Sequence, residues 1–247
     1  MFPIRDHNPS GQTPYVTYAL MALNILVFLS YYGIMNDART LNAFWVSWAM
    51  IPVRVTELEA LHTLITSMFL HGGILHLAGN MLFLFIFGDN VEDAFGHIKY
   101  LALYLASGVL AALSQVFVEP SSMIPTVGAS GAIAGVMGAY LLLFPKARVD
   151  LLIIIVVIFK VIPVPAWIML ALWFVLQFIG GIASDPNAGG VAYWAHAGGF
   201  VAGLLLTIPL WLKRGGTQFW QQTHGKPPHP EASYRFQESR IPKVKRR

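Results

Sequence analysis

The sequence predicts an all-α polytopic membrane protein with six transmembrane helices, and three observations carry that prediction. Charged residues make up 11% of the chain, against about 25% in an ordinary globular protein, while apolar residues make up 56%. Too few charges are left to coat a water-soluble surface. Cutting the 247 residues at every Asp, Glu, Lys and Arg leaves six long uncharged stretches, 7–36, 60–88, 100–118, 120–145, 161–184 and 186–212. Each has room for the roughly 20 apolar residues that cross about 30 Å of hydrocarbon. The basic residues are also lopsided. With six spans both termini share one side, and that side collects fourteen of the sixteen Lys and Arg, leaving Arg39 and Arg54 opposite. By the positive-inside rule the side with the termini is cytoplasmic, although nine of the fourteen belong to the final 35 residues.

Taken in order, residues 1–14 read as a cytoplasmic N-terminal segment. The apolar run that follows Pro14 is too long for a signal-peptide core, so it is expected to stay as the first helix. The connection 37–60 carries Trp45, Trp48 and Arg54; it reads either as an aromatic anchor among headgroups or as a loop half-buried in the outer leaflet. The second stretch opens with His71, His76 and Asn80, and the third, 100–118, is near the lower length limit for a span. The fourth carries Ser130. Between Asp150 and Lys160 lie nine residues rich in Ile and Val, too few to span, which read as an interfacial segment or a buried hairpin. The last two stretches follow, with His196 in the sixth. Residues 15–212 thus form the membrane domain, and 213–247, Pro-rich and basic, read as a disordered cytoplasmic tail drawn to anionic lipid headgroups. That tail accounts for the net charge of +4 without nucleic-acid binding. With no cysteine, the chain has no disulfide, no thiolate metal site and no cysteine nucleophile.

Polar groups inside apolar helices are costly, so each needs a reason. Ser130 lies in Gly128-Ala129-Ser130-Gly131, where a loop turns into a small-residue helix. Flanking glycines allow close backbone approach, and free N–H groups at a helix N-terminus favour a developing negative charge. By itself such a serine is equally a packing residue. Gly131, Gly135 and Gly138 form one smooth stripe beside it, and His196, Gly199 and Gly203 form a matching stripe on the sixth helix. If the stripes pack, the imidazole reaches the hydroxyl, which is what a serine nucleophile needs from a general base. All twelve acidic residues fall outside the six stretches, so the expectation is a Ser/His dyad without a carboxylate. His76 and Asn80, four residues apart on one helical face, read as oxyanion donors together with the Ser130 N–H, or as an interhelical clamp. A metal site is the weaker reading of the histidines, since no carboxylate or thiolate completes it. His71, before Gly72-Gly73, reads as structural.

Three motifs together resemble the rhomboid intramembrane serine proteases: His71-Gly-Gly-Ile-Leu-His76-Leu-Ala-Gly-Asn80, Gly128-Ala-Ser130-Gly131 and Ala195-His196-Ala-Gly-Gly199. The resemblance runs from about residue 14 to 212. It implies a rhomboid-like bundle that hydrolyses peptide bonds in or beside transmembrane helices of membrane-protein substrates. Ser130 and His196 would be catalytic, and His76, Asn80 and the Ser130 N–H would form the oxyanion hole. His71, Gly128, Gly131 and Gly199 would be supporting residues, with no cofactor and no metal. It further implies a lateral gate at about 161–182, including Trp173 and Phe174, and a partly embedded first loop. Some members carry a Tyr one turn after the nucleophile that stacks on the histidine. This chain has Ala134 there, leaving Tyr193 or Trp194 as candidates for holding His196. Two competing readings are a non-catalytic binding or chaperone protein on the same scaffold, and a histidine-lined metal transporter. Retention of both Ser130 and His196 disfavours the first, and the lack of intramembrane acids the second. The compact form points to a bacterial inner membrane.

Overall fold

The computed structural model describes residues 2–155, 158–185 and 189–232. Five of its helices are long and apolar enough to cross a membrane: α1 (Tyr15–Tyr31, continued by a 3-10 turn to Ile34), α5 (Ile74–Phe95), α6 (His97–Val118), α8 (Ala166–Ala183) and α9 (Tyr193–Lys213). Short helices α2 (Ala38–Trp48), α3 (Pro52–Thr56) and α4 (Thr63–Thr66) fill the connection after α1. The fourth uncharged stretch behaves differently. Only Ser130–Leu143 of it is helical, and these 14 residues of α7 reach about 21 Å at 1.5 Å per residue. Residues 119–129, ahead of α7, form a loop.

A helix too short to span survives because lipid never meets it. Gly131 through Tyr140 are all buried, enclosed by α5, α6, α8 and α9. Non-helical backbone at membrane depth is tolerated only where protein or a water-filled cavity surrounds it. Here the loop is satisfied by protein: Met50 and Thr126 exchange both backbone hydrogen bonds (3.1 and 2.7 Å), Val53 N–H donates to Ser122 O (3.1 Å), and Gly128 N–H to Ser67 O (3.0 Å). The loop from α2 to α4 thereby pins the approach to Ser130. Arg54 is tied back by Val46 O and by Glu59 (3.6 Å).

At the opposite end the 151–159 segment takes the hairpin alternative, with β2 (Arg148–Ile155) pairing antiparallel with β3 (Ile158–Pro165). The N-terminal segment, for which the sequence reading gave no strand, adds β1 (Phe2–Asp6) in the order β1-β2-β3. β-Branched residues at 153–155 and at 161, 162 and 164 suit an extended chain. Arg5 and His7 both reach Asp150, at 2.7 and 2.6 Å. The tail is also ordered further than expected. Helix α10 (Thr217–Thr223) buries Phe219, and Trp220 donates from Nε1 to Leu142 O (2.8 Å) and packs on Trp211. Residues 233–247, where disorder was also expected, lie outside the described residues.

This end is closed by carboxylates used as caps. Glu92, 1% exposed, accepts from the N–H groups of Val16 and Thr17 (2.9 and 2.8 Å) in the first turn of α1, and from the Thr17 hydroxyl (2.7 Å). Those N–H groups have no partner within their own helix, and a negative charge there opposes the helix dipole favourably. α5 and α6 turn on a single residue, Gly96, at φ +75°, a conformation that glycine adopts without steric cost.

Candidate active site

Close packing of α7 on α9 brings the site together. A Cβ on Gly199 would fall on the Gly131 carbonyl, and one on Gly203 on the Gly135 carbonyl. Only hydrogen at those positions lets the two backbones touch, so the paired glycine stripes meet as the sequence reading requires. Ser130 is the first residue of α7 and His196 lies one turn into α9. Their Oγ and Nε2 atoms are 2.7 Å apart. The nearby helix start leaves the N–H groups of Ser130, Gly131 and Ala132 without i−4 partners inside α7.

His76 and Asn80 line the same cavity of about 580 Å³ as Ser130 and His196. Gly72 N–H donates to His76 Nδ1 at 3.3 Å, which places the ring proton on Nε2. That nitrogen is packed beside Gly128, where an added Cβ would come within 2.8 Å of it and 3.4 Å of Ser130 Oγ. At φ +132° Gly128 also adopts a backbone that side chains disfavour, so the residue is glycine for two reasons. Asn80 is buried, and its amide nitrogen donates to His76 O (3.0 Å), leaving a second amide hydrogen. His71 stands behind these residues. It is fully buried, its ring nitrogens have no hydrogen-bond partner of good geometry among the described residues, and its ring meets His76 edge-on at 5.2 Å. Its backbone exchanges hydrogen bonds with the Tyr31 hydroxyl (2.7 and 2.9 Å).

The candidates offered for holding His196 do not do so. Tyr193 lies over the bare backbone of Gly180 and Trp194 over Gly181, both on α8. His196 Nδ1 instead meets Gln177 Oε1 at 2.8 Å, and the Trp173 ring lies 5.8 Å from the imidazole at a 30° tilt. Both residues come from α8, at positions one turn apart. Phe174 packs on Phe200. Gln115 on α6 supports the same region by accepting from Ala195 N–H at 3.2 Å. Gln177 was missed although a signal existed: a lone amide in an otherwise apolar helix calls for a partner.

Among the described residues no group of three or more His, Cys, Asp or Glu is placed to hold a metal ion.

The comparisons with known proteins agree with one another. The Rhomboid domain family model matches residues 58–213. Rhomboid protease GluP of Bacillus subtilis (strain 168) is 30% identical over 211 residues, 82% of this chain and 36% of that protein. Rhomboid protein 1, mitochondrial, of Saccharomyces cerevisiae is 29% identical over 203 residues, 77% of this chain and 51% of that protein. Rhomboid protease AarA of Providencia stuartii is 34% identical over 164 residues, 58% and 53% of the two chains. The chain spans between about a quarter and about half the length of the curated relatives it matches.

Proposed function

The chain belongs to the rhomboid family, and from that premise we propose that it is an intramembrane serine endopeptidase cutting peptide bonds in or next to transmembrane helices, with residues 15–212 as the protease domain. The observation that carries this reading is the 2.7 Å contact between Ser130 Oγ and His196 Nε2 on the wall of a cavity at the end of a buried, short helix. Ser130 Oγ attacks the scissile carbonyl carbon as its proton passes to His196 Nε2. The carbonyl oxygen gains negative charge and is received by the Ser130 N–H, His76 Nε2–H and the second amide hydrogen of Asn80. As the tetrahedral species collapses, the imidazolium gives its proton to the leaving amine. Water then repeats the sequence on the acyl-enzyme, with His196 again taking and returning the proton. No cofactor takes part.

Depth explains how water arrives. α7 stops about 10 Å short of a full hydrocarbon crossing, and the cavity, lined by Gln115, Glu119 and Ser122 among others, fills that gap. The substrates are transmembrane proteins presented from the bilayer. We assign the sheet-bearing end and both termini to the cytoplasmic side on the distribution of basic residues, and the protein to a bacterial inner membrane on its compact six-helix form. Fusions of alkaline phosphatase and a fluorescent protein after residue 232 test the orientation, since only the second should be active.

The direct test of the activity is fluorophosphonate labelling of the purified chain, alongside cleavage of a helical membrane substrate. Both should vanish in Ser130→Ala and His196→Ala. Cleavage that survives Ser130→Ala refutes the mechanism.

A further inference from the structure

We propose that Gln177 is a positioning residue, one that holds His196 in the tautomer able to accept the Ser130 proton and so makes docking of α8 a condition of catalysis. The proposal rests on the Ser130/His196 reading above. A neutral imidazole carries its proton on one nitrogen only, and the partner of the other nitrogen decides which. To serve as base toward Ser130, His196 must keep Nε2 free and carry its proton on Nδ1. Nδ1 faces the Gln177 side chain at 2.8 Å.

A glutamine could meet that nitrogen with either end of its amide, and the two ends have opposite consequences. Presented with Oε1, Nδ1 must donate, and Nε2 is left as acceptor for the serine. Presented with Nε2, it must accept, and His196 would turn a proton toward Ser130 and lose its function as base. The choice is made one turn away: Gln177 Nε2 donates to the Trp173 carbonyl at 3.2 Å. With the amino end engaged by its own helix, the oxygen end faces His196. Gln177 is 8% exposed, so water competes little for either end. Its neutral oxygen does the orienting work of a triad carboxylate without placing a charge in the membrane interior.

The holder sits on a different helix from both members of the dyad. α8 is the least enclosed of the five long helices, and it meets α9 over Gly180 and Gly181, where Tyr193 and Trp194 lie on its bare backbone. When α8 leaves α9, Gln177 and Trp173 leave His196 with it. The imidazole is then free to turn or to exchange tautomers, and Ser130 loses its base without either residue having moved on its own helix.

The test uses the full chain in detergent micelles, with 15N-histidine labelling and with turnover of a helical membrane substrate. Wild type should show His196, identified by the loss of its signals in His196→Ala, protonated at Nδ1. Gln177→Leu, which removes the acceptor, should give mixed tautomers and lower kcat by about 10- to 100-fold with KM within about twofold. Gln177→Glu, which restores an acceptor, should recover most of kcat. Gly180→Leu, which pushes α8 off Tyr193 without touching the dyad, should reproduce the mixed tautomers. A wild-type His196 protonated at Nε2, or full kcat in both Gln177→Leu and Gln177→Met, overturns the proposal. Unshifted tautomers in Gly180→Leu overturn its docking half. The outcome is separable from that of the dyad: cleavage surviving in His196→Ala refutes the mechanism itself, whereas dead dyad variants beside a fully active Gln177→Leu refute only the role of Gln177.

Discussion

The two ends of the helix bundle hold comparable numbers of buried polar groups and use them in opposite ways. At the sheet-bearing end, carboxyl groups are matched to partners: Glu92 to the first turn of α1, Asp150 to Arg5 and His7, Asp6 to Asn90 (2.6 Å) and Tyr140 (3.1 Å). At the cavity end no carboxylate among the described residues is seen to bond Ser130 or His196, and the polar atoms around them include several with capacity to spare, namely the α7 N-terminal N–H groups, His76 Nε2 and one hydrogen of Asn80. Satisfied networks rigidify; groups aimed at a site where charge develops stabilise a transition state. The difference teaches which substitutions should change folding and which should change chemistry.

The largest effect should come from the dyad. Ser130→Ala should lower kcat by at least about 10⁴-fold while leaving the unfolding midpoint in detergent unchanged. A drop in stability to match would mean that the cavity end is structural as well. Gly203→Leu should do the reverse, driving a side chain into the Gly135 backbone and costing upwards of about 3 kcal/mol. Its readouts are expression and the unfolding curve, and a variant of normal stability would show that the stripes do not carry the contact. Asn80→Ala should reduce turnover by about 100-fold. Unaltered turnover would remove Asn80 from the oxyanion hole and leave it the interhelical clamp. Glu92→Ala should cost about 1 to 3 kcal/mol of stability and leave kcat of the folded fraction intact.

A pH dependence is also expected at the closed end. Burial, and after it the nearby Asp89 charge, push the Asp6 carboxyl up from 3.8 to about 8. Between those values the folded protein keeps the proton that the unfolded chain releases, so stability falls as pH rises from about 4 to about 8 and is flat above. Asp6→Asn should flatten that slope of unfolding midpoint against pH. An unchanged slope would assign it to another group.

The apolar spans and the meeting of Ser130 with His196 were legible because their causes are local. Charge-free runs, and glycines at i, i+3, i+4 and i+7 beside a serine and a histidine, are visible in any window of a helix or two. What escaped notice depends on distant partners. β1 is five unremarkable residues until β2 supplies its register nearly 150 positions away, with Phe2 opposite Leu152. Fourteen helical residues within a stretch of 26 cannot be told from a full span, because the loop at 120–129 is held by Met50, Val53 and Ser67, on another segment. Phe219 and Trp220 were masked by the basic residues around them. The holder of His196 was sought among its sequence neighbours and lies on another helix, 19 positions earlier.

The short, enclosed α7 has a further consequence for how the bilayer itself acts on the proposed site. A helix that meets no lipid is indifferent to hydrocarbon thickness, so Ser130 keeps its depth when acyl chains lengthen or shorten. α8, the least enclosed of the five long helices, must tilt or slide to match them. Reconstituted in lipids of graded chain length, the protein should therefore lose turnover on either side of an optimum while retaining its stability, with the bilayer acting through the helix that carries Gln177.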